Sequence, residues 1–172
     1  MKSDKVASTS LAVRHEVQAA KNVWDDVRLQ KFWLAIDRHR WQSLSVIAAS
    51  AAVDTYALAE LLAQLAWRYH GQPSNVFDLR DLSMRLVDYE LREMRAQIAS
   101  GTRLVVALRS IFENPTAAPV AKQTDAALIC IVLGKTTLKD VRETTAAVGR
   151  DAVIGSVVLR PPRRKRSART SP

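Results

Sequence analysis

Five apolar runs, most of them without polar interruption, constrain the fold of this chain more than any other feature. They are LSVIAAS (44–50), NVFDL (75–79), RLVVAL (103–108), ALICIVL (127–133) and AVIGSVVL (152–159). A strand exposed on one face alternates apolar and polar side chains, whereas a strand covered on both faces does not. The runs therefore predict the buried strands of a parallel sheet.

Helical segments separate these runs. Helices are predicted from about Thr55 to Tyr69, from about Ser83 to Ser100, over a short stretch ending at Gln123, and from Thr136 to Val148. Regular alternation of strand and helix is typical of α/β proteins, in which helices cover both faces of the sheet. We expect a mostly parallel sheet of about five strands in a Rossmann-like three-layer sandwich.

The chain is predicted to have four parts. Residues 1–10 are expected to be disordered, and residues 11–40 to form an amphipathic helix, because their apolar positions recur at helical spacing. This helix is expected to pack on an α/β domain formed by residues 41–159. Residues 160–172 are expected to be a basic, disordered tail.

Charge and cysteine content limit the classes of function. The net charge is +9, of which +6 comes from residues 160–172, so that residues 1–159 carry only +3. The single cysteine, Cys130, lies within an apolar run, which excludes a disulfide framework and favours a small buried side chain. The N-terminus is too polar for a signal peptide, and no run is long enough to span a membrane. These features predict a cytoplasmic protein.

The first strand and the following helix, SVIAASAAVDTYALAELL, occupy a place where many α/β proteins bind phosphate. A phosphate loop needs glycines, a lysine that reaches the phosphates, and a serine or threonine for magnesium. The stretch between Ser50 and Tyr56 contains neither glycine nor lysine. The three histidines lack metal-ligand spacing, and no cofactor or metal is expected.

This stretch nevertheless resembles the first strand, loop and helix of the ParA/MinD-like P-loop ATPases, closest to the bacterial tyrosine-kinase (BY-kinase) domains of capsule and exopolysaccharide systems. The resemblance places Thr55 at the magnesium-binding position and Asp54 at the position of the phosphate-binding lysine. In VFDLRD, Asp78 and Arg80 match the family's Asp-x-Asp-Leu-Arg pattern, in which Val76 replaces the first aspartate.

A third match covers residues 103–159, which resemble the family in the order of strands, turns and helices. The positions in register are Pro115, Pro119, Asp125, Gly134, Thr136 and Gly155. The aspartate that ends the family's third strand is absent, and Leu108, Arg109 and Ser110 stand there instead, with Glu113 further along as a weak substitute. The resemblance implies a P-loop NTPase-like fold in which Asp54, Thr55, Asp78, Arg80 and Glu113 are vestiges of a nucleotide and metal site.

Loss of the lysine and the metal carboxylates removes the groups that stabilise a transferring phosphoryl group. The sequence is therefore interpreted as a pseudo-ATPase without catalytic residues: an assembly or regulatory partner in bacterial exopolysaccharide or envelope biosynthesis. One alternative is a nucleotide-dependent switch or kinase-like enzyme completed by a partner chain. A second alternative is a ParA-like DNA-associated protein.

The basic tail is the last candidate site. Its cationic residues are Arg160, Arg163, Arg164, Lys165, Arg166 and Arg169. They are predicted to contact anionic lipid head groups, which would place the protein at the periphery of the inner membrane, or otherwise to act only as a solubilising appendage. Nucleic acid is a less favoured partner, because no aromatic residue is interleaved with the charges. A protein partner or self-association is expected.

Overall fold

The computed structural model describes residues 26–51 and 53–160, and these fall into two units that divide after Arg40. The first unit contains helix α1, Val27–Asp37. Asp26 is its N-cap, and the Asp26 carboxylate accepts a hydrogen bond from the Arg28 amide at 2.7 Å. The predictions for residues 1–25 and 161–172 lie outside the described residues. Helix α1 corresponds to part of the predicted 11–40 helix, and its association with the α/β domain stays a prediction.

The second unit contains a parallel sheet of five strands in the order β2-β3-β1-β4-β5. The strands are β1, Ser43–Ala48; β2, Ser74–Asp78; β3, Arg103–Leu108; β4, Ala126–Val132; and β5, Val153–Leu159. The predicted α/β class, strand number and parallel direction are confirmed. Each strand lies within two residues of its predicted bounds.

Four helices connect these strands. They are α2, Tyr56–His70; α3, Val87–Ala99, which follows a 3₁₀ turn at Met84–Leu86; α4, Ala117–Ala121; and α5, Leu138–Val148. The connection from β1 to β2 runs in one direction across the sheet. The connections from β2 to β3, from β3 to β4 and from β4 to β5 all run in the opposite direction. Right-handed crossovers of opposite direction place their helices on opposite faces, so α2 covers one face and α3, α4 and α5 the other.

The central strands are buried because both of their faces are covered. All side chains of β1 and β3 are buried, and the core beneath α3, α4 and α5 includes Ile47, Val106 and Ile129. Cys130 is also buried, and burial raises the pKa of its thiol to about 12. The prediction that this cysteine is a buried apolar side chain is confirmed.

Local signals fix several helix ends. Helix α2 ends at Gly71, whose φ of 64° is in the left-handed region that glycine adopts without a steric penalty. Thr137 begins α5 with a capping box, in which its hydroxyl accepts from the Asp140 amide and the Asp140 carboxylate accepts from the Thr137 amide. No helix in the described ranges has the length and apolar character needed to cross a bilayer.

Candidate functional site

The candidate site lies at the carboxyl edge of the sheet, where the loops that follow β1, β2 and β3 meet. Strand β3 separates β1 from β2, and the chain leaves β1 and β3 in opposite directions along the sheet. In open α/β sheets, ligands bind in the crevice formed at such a reversal, beside the carboxyl ends of the strands. This position contains all five residues that the sequence assigns to the vestigial site.

Arg80 is the centre of the charged contacts at this edge. Its guanidinium donates to both carboxylate oxygens of Asp78, with Nε to Oδ1 at 2.7 Å and Nη2 to Oδ2 at 2.8 Å. Its Nη1 donates to Asp54 Oδ1 at 2.9 Å. The guanidinium carbon also lies 5.0 Å from the centre of the Tyr56 ring. Arg80 thus joins the loop after β1 to the end of β2.

Asp54 occupies the region where a phosphate-binding protein would place its ligand. Its Oδ1 accepts a hydrogen bond from the amide of Tyr56, the first residue of α2, at 3.0 Å. The N-terminus of a helix stabilises negative charge through its unpaired amides and its dipole. In this protein a carboxylate of the chain itself provides that negative charge.

Thr55 does not present its hydroxyl to the crevice. The residue is fully buried, and its Oγ1 donates to the carbonyl oxygen of Leu108, the last residue of β3, at 2.9 Å. Thr55 is also the N-cap of α2, but its side chain makes no capping hydrogen bond. The hydroxyl therefore links β3 to the start of α2.

The loop after β3 provides a second charged group. Arg109 Nε donates to Asp81 Oδ1 at 2.9 Å, and Arg109 Nη1 lies 3.8 Å from Glu113 Oε1. Glu113, which the sequence offers as a substitute for the missing strand-end aspartate, is thus held beside an arginine. The carboxyl edge of the sheet thus carries two groups of ion pairs. Arg80 pairs with Asp54 and Asp78, and Arg109 pairs with Asp81 and Glu113.

Asn114 fixes the relative position of the loops that follow β2 and β3. Its Nδ2 donates to the carbonyl oxygens of Arg80 and Leu82 at 3.1 and 3.0 Å. Its Oδ1 accepts from the amide and the hydroxyl of Thr116 at 3.1 and 2.8 Å. Both the amide nitrogen and the amide oxygen of Asn114 are therefore engaged with the two loops, and these contacts hold the backbone at Arg80 in place.

The ion pairs shift the pKa values of their members in the direction that favours charge. Hydrogen bonding to Arg80 lowers the pKa of Asp78, and the same contact raises the pKa of Arg80. Hydrogen bonding to Asp81 raises the pKa of Arg109. The pairs are therefore charged at neutral pH. Tyr56 lies outside these ion pairs: a hydrogen bond with Glu60 and the negative charge of Glu60 raise its pKa, which favours the neutral phenol.

A depression of about 360 Å³ opens beside Asp78, on the side of α3. Its lining comprises three carboxylates, three leucines and one serine: Asp78, Asp81, Glu90, Leu79, Leu82, Leu86 and Ser83. No cationic side chain is part of this lining. Of the three carboxylates, Asp78 and Asp81 are paired with Arg80 and Arg109, so Glu90 is the lining carboxylate outside these two pairs.

Residues 134–137, Gly-Lys-Thr-Thr, form the turn between β4 and α5. Thr136 Oγ1 accepts from the amide of Val132 at 2.9 Å and lies 2.7 Å from the hydroxyl of Ser50. These contacts close the turn between β4 and α5 and connect it to the end of β1. Thr137 is the N-cap of α5.

Sequence reasoning missed Asp81 and Asn114, and it treated Arg109 only as a replacement for the absent aspartate. Asn114 precedes Pro115, and this dipeptide is a turn signal that could have drawn attention to its side chain. Asp81 carries no comparable signal, because it follows an already charged strand end. In the described part of the chain, no group of three histidine, cysteine, aspartate or glutamate side chains is arranged to bind a metal ion.

Of the tail residues assigned from sequence, only Arg160 lies within the described residues, and it is exposed. The cluster from Arg163 to Arg169 stays a prediction. Comparison of the chain with protein-family models gives no match, and comparison with curated protein sequences gives none either. The resemblance to ParA/MinD-like ATPases therefore rests on the residues discussed above.

Proposed function

We propose that this protein is a catalytically inactive, P-loop NTPase-like interaction module that acts as an assembly or regulatory partner in bacterial exopolysaccharide or envelope biosynthesis. The observation that carries the proposal is the Asp54 carboxylate at the start of α2, bonded to the Tyr56 amide and to Arg80. A nucleotide phosphate bound at this helix would need that same position.

Electrostatics support the loss of nucleotide binding. Two unit charges 4 Å apart interact by about 4 kcal/mol at an effective dielectric constant of about 20. A phosphate beside Asp54 would meet repulsion of this order, reduced by Arg80, whose charge is already shared between Asp54 and Asp78. Repulsion of even half this size lowers affinity by more than tenfold.

The remaining groups of a phosphoryl-transfer site are engaged in structural contacts. The Thr55 hydroxyl donates to a strand carbonyl, and Asp78 forms a two-point pair with Arg80. Phosphoryl transfer depends on positioned cations that neutralise charge in the transition state. The groups at this edge instead neutralise each other, which supports a binding role for the surface rather than a catalytic one.

The proposed pathway is based on the resemblance to BY-kinase domains and on the basic segment 160–172. A membrane-associated assembly system presents anionic lipid, to which each basic residue near the surface contributes about 1 kcal/mol. A module of this kind would bind its partner protein through the loops at the carboxyl edge and would be held close to the membrane by the tail.

Isothermal titration calorimetry of the full chain with ATP and ADP, with and without magnesium, tests the proposal. The unmodified protein is expected to show no binding heat and no thermal stabilisation at millimolar nucleotide. The matched variants Asp54→Asn and Asp151→Asn each remove one negative charge, so they separate the local effect of the Asp54 carboxylate from the effect of net charge. Only Asp54→Asn is expected to increase the affinity for nucleotide. Asp151 is exposed on the turn before β5, away from the nucleotide position.

Two outcomes would overturn the proposal. One is micromolar nucleotide binding by the unmodified chain, which would place the nucleotide-dependent switch first. The other is ATP hydrolysis that Asp78→Ala abolishes, which would show that the strand-end carboxylate still serves catalysis.

A further inference from the structure

The two edges of the sheet differ in their protection against pairing with another strand. Edge strand β2 has five residues, follows Pro73 and ends at the charged Asp78. Edge strand β5 has seven residues, VIGSVVL, with neither a charge nor a proline. Natural edge strands are usually protected by charges, prolines or short length. By these criteria β5 is an open edge and β2 is not.

The hydrogen-bonding groups of β5 alternate between the sheet and its outer side. The carbonyl of Leu159 accepts from the Leu133 amide after β4, and Gly155, Val157 and Leu159 are in register with Leu128, Cys130 and Val132. Successive residues of a strand direct their backbone groups to opposite sides. The amides and carbonyls of Ser156 and Val158 therefore face outward, where the described part of the chain provides no neighbouring strand.

The side chains along this edge are partly apolar and unusually exposed. Val158 is 55% exposed, and Leu133 and Leu138, at the same end of the sheet, are 57% and 63% exposed. The only irregularity of the β4–β5 ladder lies between Ala127 and Leu128, so β5 is regular from Gly155 onward. Residues 155–159 thus form a regular, uncharged segment with an adjoining apolar surface.

We propose that β5 pairs with β5 of a second copy of this chain, antiparallel, about a two-fold axis through Val157. In this register Ser156 of each copy lies opposite Val158 of the other, and their outward backbone groups form four hydrogen bonds. The two sheets join into one continuous sheet of ten strands. Two-fold pairing of this kind uses the same surface on both copies and closes without further growth.

The side chains of this segment are self-complementary in the proposed register. Leu159 lies opposite Gly155 of the second copy, so a large side chain faces the position that has none. The two Val157 side chains meet at the axis as a non-hydrogen-bonded pair, in which cross-strand contact is closest. Val158, which is exposed in the single chain, is brought beside Ser156 and Ile154 of the second copy.

The charge distribution also favours the antiparallel arrangement. The basic segment 160–172 begins directly after β5. Antiparallel strands place the two copies of this segment at opposite ends of the pair, which separates their positive charges. A parallel arrangement would place both segments side by side, and like charges at that distance repel.

Sedimentation velocity of the full chain tests whether the dimer exists and whether β5 forms it. The unmodified chain is expected to sediment as a dimer whose fraction rises with concentration. Val158→Lys introduces a charge twice, once for each copy, and is expected to raise the dimer dissociation constant by about tenfold or more. Met84 has a similar exposure, 62%, and lies in the 3₁₀ turn after β2, the other edge strand. Met84→Lys is therefore expected to leave the dimer dissociation constant unchanged.

Engineered cysteines test the register independently of these variants. Val157→Cys is expected to form an intermolecular disulfide under mild oxidation, because residue 157 lies opposite itself. Val158→Cys is more exposed but is offset by two residues from its own copy, beyond the Cα separation that a disulfide spans. Buried Cys130 does not compete for oxidation.

A chain that sediments as a monomer at all concentrations would overturn the proposal. A dimer unaffected by Val158→Lys, or one in which Val158→Cys cross-links as readily as Val157→Cys, would overturn it as well. Circular dichroism spectra and unfolding midpoints of each variant, measured beside the unmodified chain, distinguish loss of pairing from loss of folding.

Discussion

Replacing Thr55 by valine tests the assignment of its hydroxyl to a structural contact. Valine has nearly the same shape as threonine but cannot donate to the Leu108 carbonyl, which Thr55 Oγ1 contacts at 2.9 Å. An intramolecular hydrogen bond contributes about 0.5–1.5 kcal/mol net, and an unpaired buried partner costs about 1–3 kcal/mol. Because Thr55 is fully buried, water cannot replace the lost donor at this side chain.

We therefore expect Thr55→Val to lower the free energy of unfolding by about 1.5 kcal/mol. For a domain of this size, that loss lowers the melting temperature by about 5 °C. Urea unfolding followed by circular dichroism measures the free energy, and an unchanged m-value would show that the variant unfolds from an equally compact state.

Thr55→Ser serves as the matched control, because it keeps the hydroxyl and removes one methyl group, at a cost of about 0.8 kcal/mol. The expected order of stability is threonine, then serine, then valine. Equal stability of the valine variant and the unmodified protein would refute the assignment. A serine variant less stable than the valine variant would show that the methyl group, and not the hydroxyl, provides the stabilisation.

Two further predictions concern other charged contacts. Asp125 Oδ2 accepts hydrogen bonds from the Ser43 amide at 2.8 Å, the Ser43 hydroxyl and the Gln42 amide, so Asp125→Ala is expected to lower the free energy of unfolding by about 2 kcal/mol. Asp151→Ala, at an exposed aspartate, is the control and is expected to change the free energy of unfolding by nearly zero in the same urea or thermal unfolding experiment. Equal effects of the two substitutions would contradict the role of Asp125. Arg80 lowers the pKa of Asp78 in the folded state, so the stability from this pair is present above pH of about 4, the unfolded value, and is lost as pH falls through the folded value. The difference in unfolding free energy between the unmodified protein and Arg80→Gln should shrink on acidification, and a difference that stays constant from neutral to strongly acidic pH would contradict the role of Arg80.

Some features of the site were predictable because they follow from local sequence. Asp54 and Thr55 lie between a buried strand and a helix, and Asp78 and Arg80 lie at the end of another strand. The carboxyl ends of parallel strands meet at one edge of the sheet, so these residues were expected at that edge. Their bonds to each other were not predictable, because side-chain direction depends on the neighbours that the tertiary structure provides.

Thr55 illustrates this difference. Its position in the sequence suggests a metal ligand, but in the structure its hydroxyl points to Leu108, a residue 53 positions away. Trp67 is a second case: a large apolar side chain on a helix that covers the sheet is usually buried, yet Trp67 is 64% exposed on α2. Helical periodicity alone does not specify which side of a helix meets the sheet.

The sequence by itself determined the succession of strands and helices along the chain, the parallel direction of the sheet and the burial of its central strands. These follow from uninterrupted apolar runs and from the length of the segments between them, which act over a few residues. Only the tertiary structure decided that β3 lies between β1 and β2, that Arg80 reaches Asp54 across 26 positions, and that β5 remains an unprotected edge. Strand order and ion pairing depend on contacts between residues far apart in the chain, and no local pattern specifies the partner in such a contact.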